Sequence, residues 1–508
     1  MNYVGTARPI HDAKGKATGY TKYAGDISLS NMAYLCMLHS KIPHGYVKAV
    51  HAEKALALPG VYGVYHCLNT TDRKYNRYCS NFDQAYLPNE ECAFNDYVRF
   101  VGDKIGVVAA CDQETAERAA RLVEVEYEEL PFSIGFDDTL AGKNCLEGET
   151  PVRDEYTLEV GKKQESTEGL IEVCSTMELP RLHHATMETH ACIADYDPYS
   201  DMLTVYCPNQ AVHGIRTVLA DFLEMPESHV RVVKATMGGS FGAKQEWFLE
   251  PVTALVAKKL CRPVKLVYSR GEAMTDTIVR GAMRMSARGY YTPDGEMKEI
   301  YCDVTLDAGA YIGNAGDYVR ALAGKPTRCY RIPYMHYHGQ VISSNSPVSG
   351  AFRSWSAAEE ALMMERQLDA AAEKLGMDRL AIRLKNVARS GEEDKKLRLS
   401  LEDIRIGDAI TLGSEKFGWD KLKAEDAAFN ASQQRYRRGV GIGIGGHGNT
   451  YFPRFNDYGE GSISLNADGS MQANFTLHDH GCGTVTAMRM IAAEVLKVPE
   501  DKIYMTEG

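Results

Sequence analysis

Residues 237–244 read MGGSFGAK and follow VRVVKAT (230–236), a β-branched run that reads as a strand. Five of the eight residues are Gly, Ala or Ser, so bare backbone N–H groups at the end of a strand can approach an anion or a large cofactor that side chains would obstruct. The Gly-Lys-Ser/Thr ending of a nucleotide-binding P-loop is absent. GCGTVTAMRMIAAEVLKVP (481–499) places two glycines and two threonines before an amphipathic helix. Its free amides and helix dipole suit an anion, with Thr484 or Thr486 as cap and phosphate donor, and an ordinary capped helix reads the same way. GAFRSWSAAEE, beginning at Gly350, repeats the pattern with a guanidinium beside a helix start. That suits oxyanion or phosphate recognition, and equally a helix cap with a surface arginine. HHATMETH (183–190) gathers His183, His184, Glu188 and His190, but it lacks an HExxH frame, so structural histidines are the preferred reading over metal ligands. GIGIGG (441–446) matches the dinucleotide fingerprint in letters only, because HGNTYFPRFND follows it in place of a helix; a small-residue strand against a neighbouring backbone is expected there.

Three glycine-rich loops ending strands or opening helices need a scaffold to bring them together. Short strands and helices alternate through the first 140 or so residues, as in PHGYVKAVHAEKALALPGVYGVYH and VRFVGDKIGVVAACDQETAERAARLVEVEYEEL. The polar run between Leu140 and Thr176 reads as an extended connector. From Met177 the strand MLTVYC, the helix AVHGIRTVLADFLEM, the strand VRVVKAT, the helix PVTALVAKKLC and the strand PVKLVYS flank the first glycine loop, and WSAAEEALMMERQLDAAAEKLGMD is a long helix. A charged stretch then leads to a β-rich third unit ending in the GCGT helix. The organisation expected is 1–140, a 141–176 linker, 177–395 and 396–508, an α+β chain in several units, as 508 residues imply.

Composition excludes several classes. The hydrophobic fraction of 44% and charged fraction of 25% are those of a globular protein. The formal net charge of −11 with no basic stripe argues against nucleic acid or an anionic membrane as the main partner. No apolar run spans a bilayer, and the N-terminus has no signal-like core. Thirteen cysteines without a CxxC pair read as reduced thiols of a cytoplasmic protein.

Taken in order, these segments resemble the molybdenum-cofactor-binding subunit of the xanthine dehydrogenase / aldehyde oxidase family of molybdenum hydroxylases. The two N-terminal segments resemble its α/β-hammerhead domain, and HHATMETHACIADYD resembles the opening of its first molybdopterin-binding domain. MGGSFGAK resembles the loop usually written GGGFGGK, GAFRSWSAAEE the arginine loop, and GCGTVTAMRMIAAEVL the G-Q-G-x-x-T loop of a second, partial molybdopterin-binding domain. The resemblance implies molybdopterin, plain or as its cytosine dinucleotide, carrying Mo through the pterin dithiolene with no direct protein ligand. It implies oxidative hydroxylation of an N-heterocycle (purine-like) or aldehyde with water as oxygen source. Electrons would leave to [2Fe-2S] and FAD on partner chains, because this chain has no cluster spacing of cysteines.

By that resemblance Phe241 stands beside the metal and Arg353 orients substrate, the two catalytic candidates. Gly239, Gly242, Gly481, Cys482, Gly483 and Thr484 join them in holding the cofactor, with the Gly242 N–H offered to it. Trp355 sandwiches a planar ring, and Gln245 and Arg320 contact substrate. The departures are Cys482 for a usual Gln, Gln245 where purine-oxidising members carry Glu, Leu182 for a Gln near the metal, and Ser354 for Gly. The family's catalytic glutamate has no counterpart here. A second polypeptide completing the molybdenum domain, or a truncated chain, inactive alone, is therefore expected. A non-catalytic scaffold that keeps the fold is the alternative.

Overall fold

The computed structural model describes residues 3–78, 88–144, 146, 150–432, 435–448 and 459–507. Two large sheets organise it. The first has seven strands, in the order Val230–Lys234, Met202–Cys207, Ala191–Asp197, Val264–Val267, Ala33–His39, Lys104–Ala110 and Val61–His66. Val264–Val267 pairs in parallel with Ala33–His39, so one continuous sheet crosses from the N-terminal unit into the second. Lys104–Ala110 is buried at every position, which is why KIGVVAA carries no polar/apolar alternation. Helix Glu250–Leu260 packs on this sheet with Glu250 through Ala257 all buried, and Pro251 opens it without losing a hydrogen bond.

The second sheet has five strands, in the order Val152–Gly161, Tyr334–Ser343, Met297–Gly309, Ala282–Tyr291 and Ile171–Leu179. Of its two outer strands, Val152–Gly161 and the first six residues of Ile171–Leu179 lie in the segment expected as a connector. Val152–Gly161 pairs with Tyr334–Ser343, and Ile171–Leu179 with Ala282–Tyr291, both antiparallel. Both are edge strands with one solvated face, and their polar residues face water, so their composition mimics a linker. Helix Ala357–Leu375 covers this sheet with Met363, Met364, Leu368, Ala371 and Ala372, and it ends at Gly376 in the left-handed region.

The third unit is smaller. Strands Gly461–Leu465, Met471–Phe475 and Ile503–Glu507 form one sheet beside helix Thr484–Leu496. The chain's first residues also belong here: the amides of Tyr3 and Val4 donate to Glu494 Oε2 at 2.7 and 2.8 Å, and the His11 amide donates to Thr486 Oγ1 at 2.9 Å. GIGIGG forms no strand. Ile442 and Ile444 pack on the second core, while a Cβ at Gly446 would come within 2.7 Å of Cys329 Sγ. Glycine there serves close approach to a side chain, with no neighbouring strand to pair. The following YFPRFND lies outside the described residues. No helix among the described residues is long and apolar enough to cross a membrane.

Candidate functional site

The glycine loop turns sharply back after strand Val230–Lys234, and one carboxylate ties its two ends. Glu188 Oε2 accepts from the Gly238 amide and from Lys244 Nζ, each at 2.6 Å. The ammonium is 2% exposed, so the pair is shielded from water. Burial pulls the Lys244 pKa down and Glu188 holds it up. Beneath the loop, His190 Nε2 lies 2.9 Å from Ala243 O. A carbonyl only accepts, so Nε2 carries the proton, and burial pushes the imidazole down to about 3, keeping it neutral. Phe241 sits at the tip with φ 55° and 51% exposure. The amides of Gly239, Ser240 and Phe241 have no acceptor among the described residues; Phe241 is exposed, Gly239 partly so, and Ser240 buried.

The Gly350 loop leans directly on this tip. Arg353 N–H donates to Phe241 O at 2.8 Å. Gly242 has φ 102°, and a Cβ there would stand 2.5 Å from Ala351 O, so glycine is required for the two backbones to touch. His184 Nε2 donates to the same Ala351 carbonyl at 2.8 Å, and its ring stacks on Phe352 at 4.2 Å. Burial pushes its pKa down to about 4. Arg280 covers the other side. It lies 4.2 Å over the Phe352 ring, donates to Arg353 O at 2.9 Å and pairs with buried Glu359. Below, Glu246 Oε1 accepts from the Ala351 amide at 3.1 Å and from Asn314 Nδ2 at 2.8 Å, and burial raises its pKa to about 7. The Arg353 guanidinium has no protein partner among the described residues and is exposed.

The third loop approaches through Gln210. Its Oε1 accepts from Ser240 Oγ at 2.6 Å and its Nε2 lies 3.1 Å from His480 Nδ1, so one side chain joins the glycine loop to residues 478–484. Gly481 has φ 97° and nothing within 4 Å of a would-be Cβ, so only its backbone conformation demands glycine. Asp479 turns its carboxylate into this loop. Oδ1 accepts from Gly481 N–H at 2.7 Å and Gly483 N–H at 3.2 Å, and Oδ2 from Val485 N–H at 3.3 Å. Cys482 Sγ and Thr484 Oγ1 are 3.0 Å apart at the start of helix Thr484–Leu496, and the hydroxyl helps pull the thiol pKa down.

The structure therefore brings Gly239, Phe241, Gly242 and Arg353 together, and joins the loop of Gly481, Cys482, Gly483 and Thr484 to them through Gln210. Other sequence candidates sit differently. The Gly242 N–H points at Ser240 Oγ at 3.3 Å, and its close contact is with the Gly350 loop. The amides of Gly481 and Gly483 serve Asp479, so an incoming anion would meet a carboxylate there. Trp355 stacks on Tyr78 at 5.9 Å and 22°, and tilts onto Tyr318 at 5.2 Å. Gln245 is half-buried behind the loop, its amide donating to Gly242 O at 3.2 Å. Arg320 pairs with Asp154 of strand Val152–Gly161, so its guanidinium is committed to holding that edge strand to its helix. His183 donates to Ala273 O at 2.8 Å, and among the described residues no group of three or more His, Cys, Asp or Glu side chains could hold a metal ion. Sequence reasoning missed Gln210, Glu246, Arg280 and Asp479. Of these only Asp479, an acid two residues before the glycine pair, left a local sign.

Comparison with known proteins matches three families along the chain. Residues 18–131 match the aldehyde oxidase and xanthine dehydrogenase a/b hammerhead domain, and residues 149–387 and 412–508 each match a molybdopterin cofactor-binding domain. The chain is 29% identical over 499 residues to a xanthine dehydrogenase molybdenum-binding subunit of Escherichia coli O157:H7, covering 96% of this chain and 65% of that protein. It is 30% identical over 384 residues to the nicotinate dehydrogenase large molybdopterin subunit of Eubacterium barkeri, covering 75% of this chain and 88% of that protein. Quinoline 2-oxidoreductase from Pseudomonas putida 86 superposes with a TM-score of 0.89 at 22% identity, over 100% of this chain and 66% of that one, a likeness of fold.

Proposed function

The chain belongs to the molybdopterin-binding subunits of the xanthine dehydrogenase and aldehyde oxidase family, and on that premise we propose that it holds molybdopterin, plain or as the cytosine dinucleotide, in a hydroxylase of planar N-heterocycles or aldehydes. The observation that carries this reading is the run of amides at Gly239, Ser240 and Phe241 without an acceptor, set against an exposed phenyl ring and a guanidinium that has no partner among the described residues. These donors fit an anionic, oxygen-rich group at the loop tip. The bound cofactor would supply oxidative hydroxylation of an electron-poor carbon with water as the oxygen source. The chain's own residues would do the rest. Amides 239–241 bind, Phe241 bars water from one side of the reacting position, and Arg353 orients a polar edge of the substrate. Cys482 and Thr484 would offer side-chain donors where Asp479 has taken the loop's amides. Gln245, behind the glycine loop, would act on substrate only through that loop.

Electrons would pass to [2Fe-2S] and FAD chains of a cytoplasmic hetero-oligomer. The relatives named as molybdenum-binding and large molybdopterin subunits support that assembly. Strand Gly461–Leu465 is an edge strand exposed along its length, with Ile463 and Leu465 43% and 69% exposed, an apolar edge for a further polypeptide to cover. Phe241→Ala and Arg353→Ala, made in the complete assembly, should lower turnover at least about tenfold while molybdenum per chain stays near wild type. Parallel loss of both contradicts the assigned roles. One observation favours a second reading, a non-catalytic scaffold: Asp479 already fills the third loop. A folded assembly without molybdenum would support it.

A further inference from the structure

Ser354, Trp355 and Ser356 are three consecutive non-glycine residues with φ of 83°, 39° and 64°. L-residues visit the left-handed region singly, and a run of three persists only where surrounding structure forces it. The loop follows Arg353 directly and its aromatic side chain lies between Tyr78 and Tyr318. Several hydrogen bonds close the turn from within, including Trp355 N–H to Phe352 O and Ala357 N–H to Ser354 O, both at 3.0 Å. These bonds fold the turn but do not fix its outward face. Lys325, 6% exposed, reaches in from the segment before Pro326. Its Nζ donates to Trp355 O and to Ser356 Oγ, the latter at 2.8 Å. Glu359 and Glu360 on the following helix attract the ammonium, Arg328 and Lys396 repel it, and His447 faces it from the GIGIGG segment. No carboxylate of the described residues forms an ion pair with it, so its hydrogen bonds go to the turn.

We propose that Lys325 is a positioning residue that clamps the left-handed turn 354–356 and thereby sets where Trp355 stands relative to Arg353, the residue proposed to orient substrate. The substrate part of this rests on the reading given under Proposed function; the clamp itself does not. Ser354 is the position at which the strain is cheapest to remove, because glycine adopts φ 83° freely and Ser354 is not a partner of Lys325.

The test uses the full chain labelled with 5-fluorotryptophan. It contains three tryptophans, 247, 355 and 419, and Trp355→Phe identifies the resonance of interest. Lys325→Met should shift and broaden that resonance while the other two stay in place, which also reports that the fold is kept. Lys325→Arg, which retains a cationic donor, should leave it near its wild-type position. Adding Ser354→Gly to Lys325→Met should bring it most of the way back, a rescue that a simple packing role for Lys325 would not give. An unmoved resonance in Lys325→Met, or no recovery with Ser354→Gly, overturns the clamp. In the loaded assembly Lys325→Met should raise KM for a planar heterocycle about tenfold with kcat within about threefold. A displaced Trp355 with unchanged KM would leave the clamp standing and overturn the substrate contact, which separates failure of the two.

Discussion

Lys244 and Glu188 offer the sharpest energetic test of how the glycine loop is held. Their 2.6 Å contact lies where the ammonium is 2% and the carboxylate 14% exposed, and the same carboxylate oxygen receives the Gly238 amide. Removing one member of a buried pair leaves the other charge uncompensated, at about 3–5 kcal/mol. Lys244→Met belongs at the low end, about 3 kcal/mol, because Glu188 keeps the Gly238 donor and some water. Glu188→Gln belongs at the high end, about 4–5 kcal/mol, because an almost fully buried ammonium then has no anion beside it. The double variant removes both charges and should cost less than the sum, giving a coupling energy of roughly 2–3 kcal/mol. Urea unfolding of the four proteins at pH 7 reads this cycle on the transition of the domain that carries the loop. Single costs under about 1 kcal/mol, or additivity within about 0.5 kcal/mol, would refute the view that this pair staples the loop ends.

Gly242→Ala sets a Cβ 2.5 Å from Ala351 O on a residue with φ 102°. It should destabilise by roughly 2–4 kcal/mol and lower molybdenum per chain, checked by thermal unfolding with metal analysis. His190, held neutral at about 3, and His184, at about 4, both lie below the ordinary histidine value of 6.5. Their contribution is therefore fully present above pH 6.5 and is lost as pH falls, when the unfolded chain takes protons the folded one refuses. Each steepens the acid side by about 1.4 kcal/mol per pH unit, and His190→Gln should remove one such slope between pH 6 and 5 in urea titrations. Asp479→Asn weakens the acceptor for the Gly481, Gly483 and Val485 amides. If the carboxylate is the anion this loop is built around, the variant should lose cofactor more readily on dialysis; tighter retention would mean that the cofactor competes for those amides.

Much of the fold could be read from patterns of local origin. The strands VRVVKAT and MLTVYC and the long helix beginning near Trp355 carry periodicity set by one buried face, and the glycine loops announce positive φ or close approach. The two strands at 152–161 and 171–179 escaped because they are edges, whose solvated faces look like linker. At the site, the loops were legible because glycine is chemically unmistakable, whereas the groups that hold them were not. Glu246, Arg280 and Gln210 act across 105, 73 and 270 residues of sequence, and nothing local marks such a contact. Arg320 shows the converse: a cation that reads as a binding group is satisfied by Asp154, 166 residues away.

The proposed function requires the three loops to form one cradle for a molybdenum-bearing pterin. Molybdenum and oxidised pterin should be quantified per chain in the protein purified from its source together with whatever chains accompany it. Both should be near one per chain, with molybdenum falling in Gly242→Ala and holding in Phe241→Ala. A folded assembly with neither metal nor pterin would contradict the proposed function.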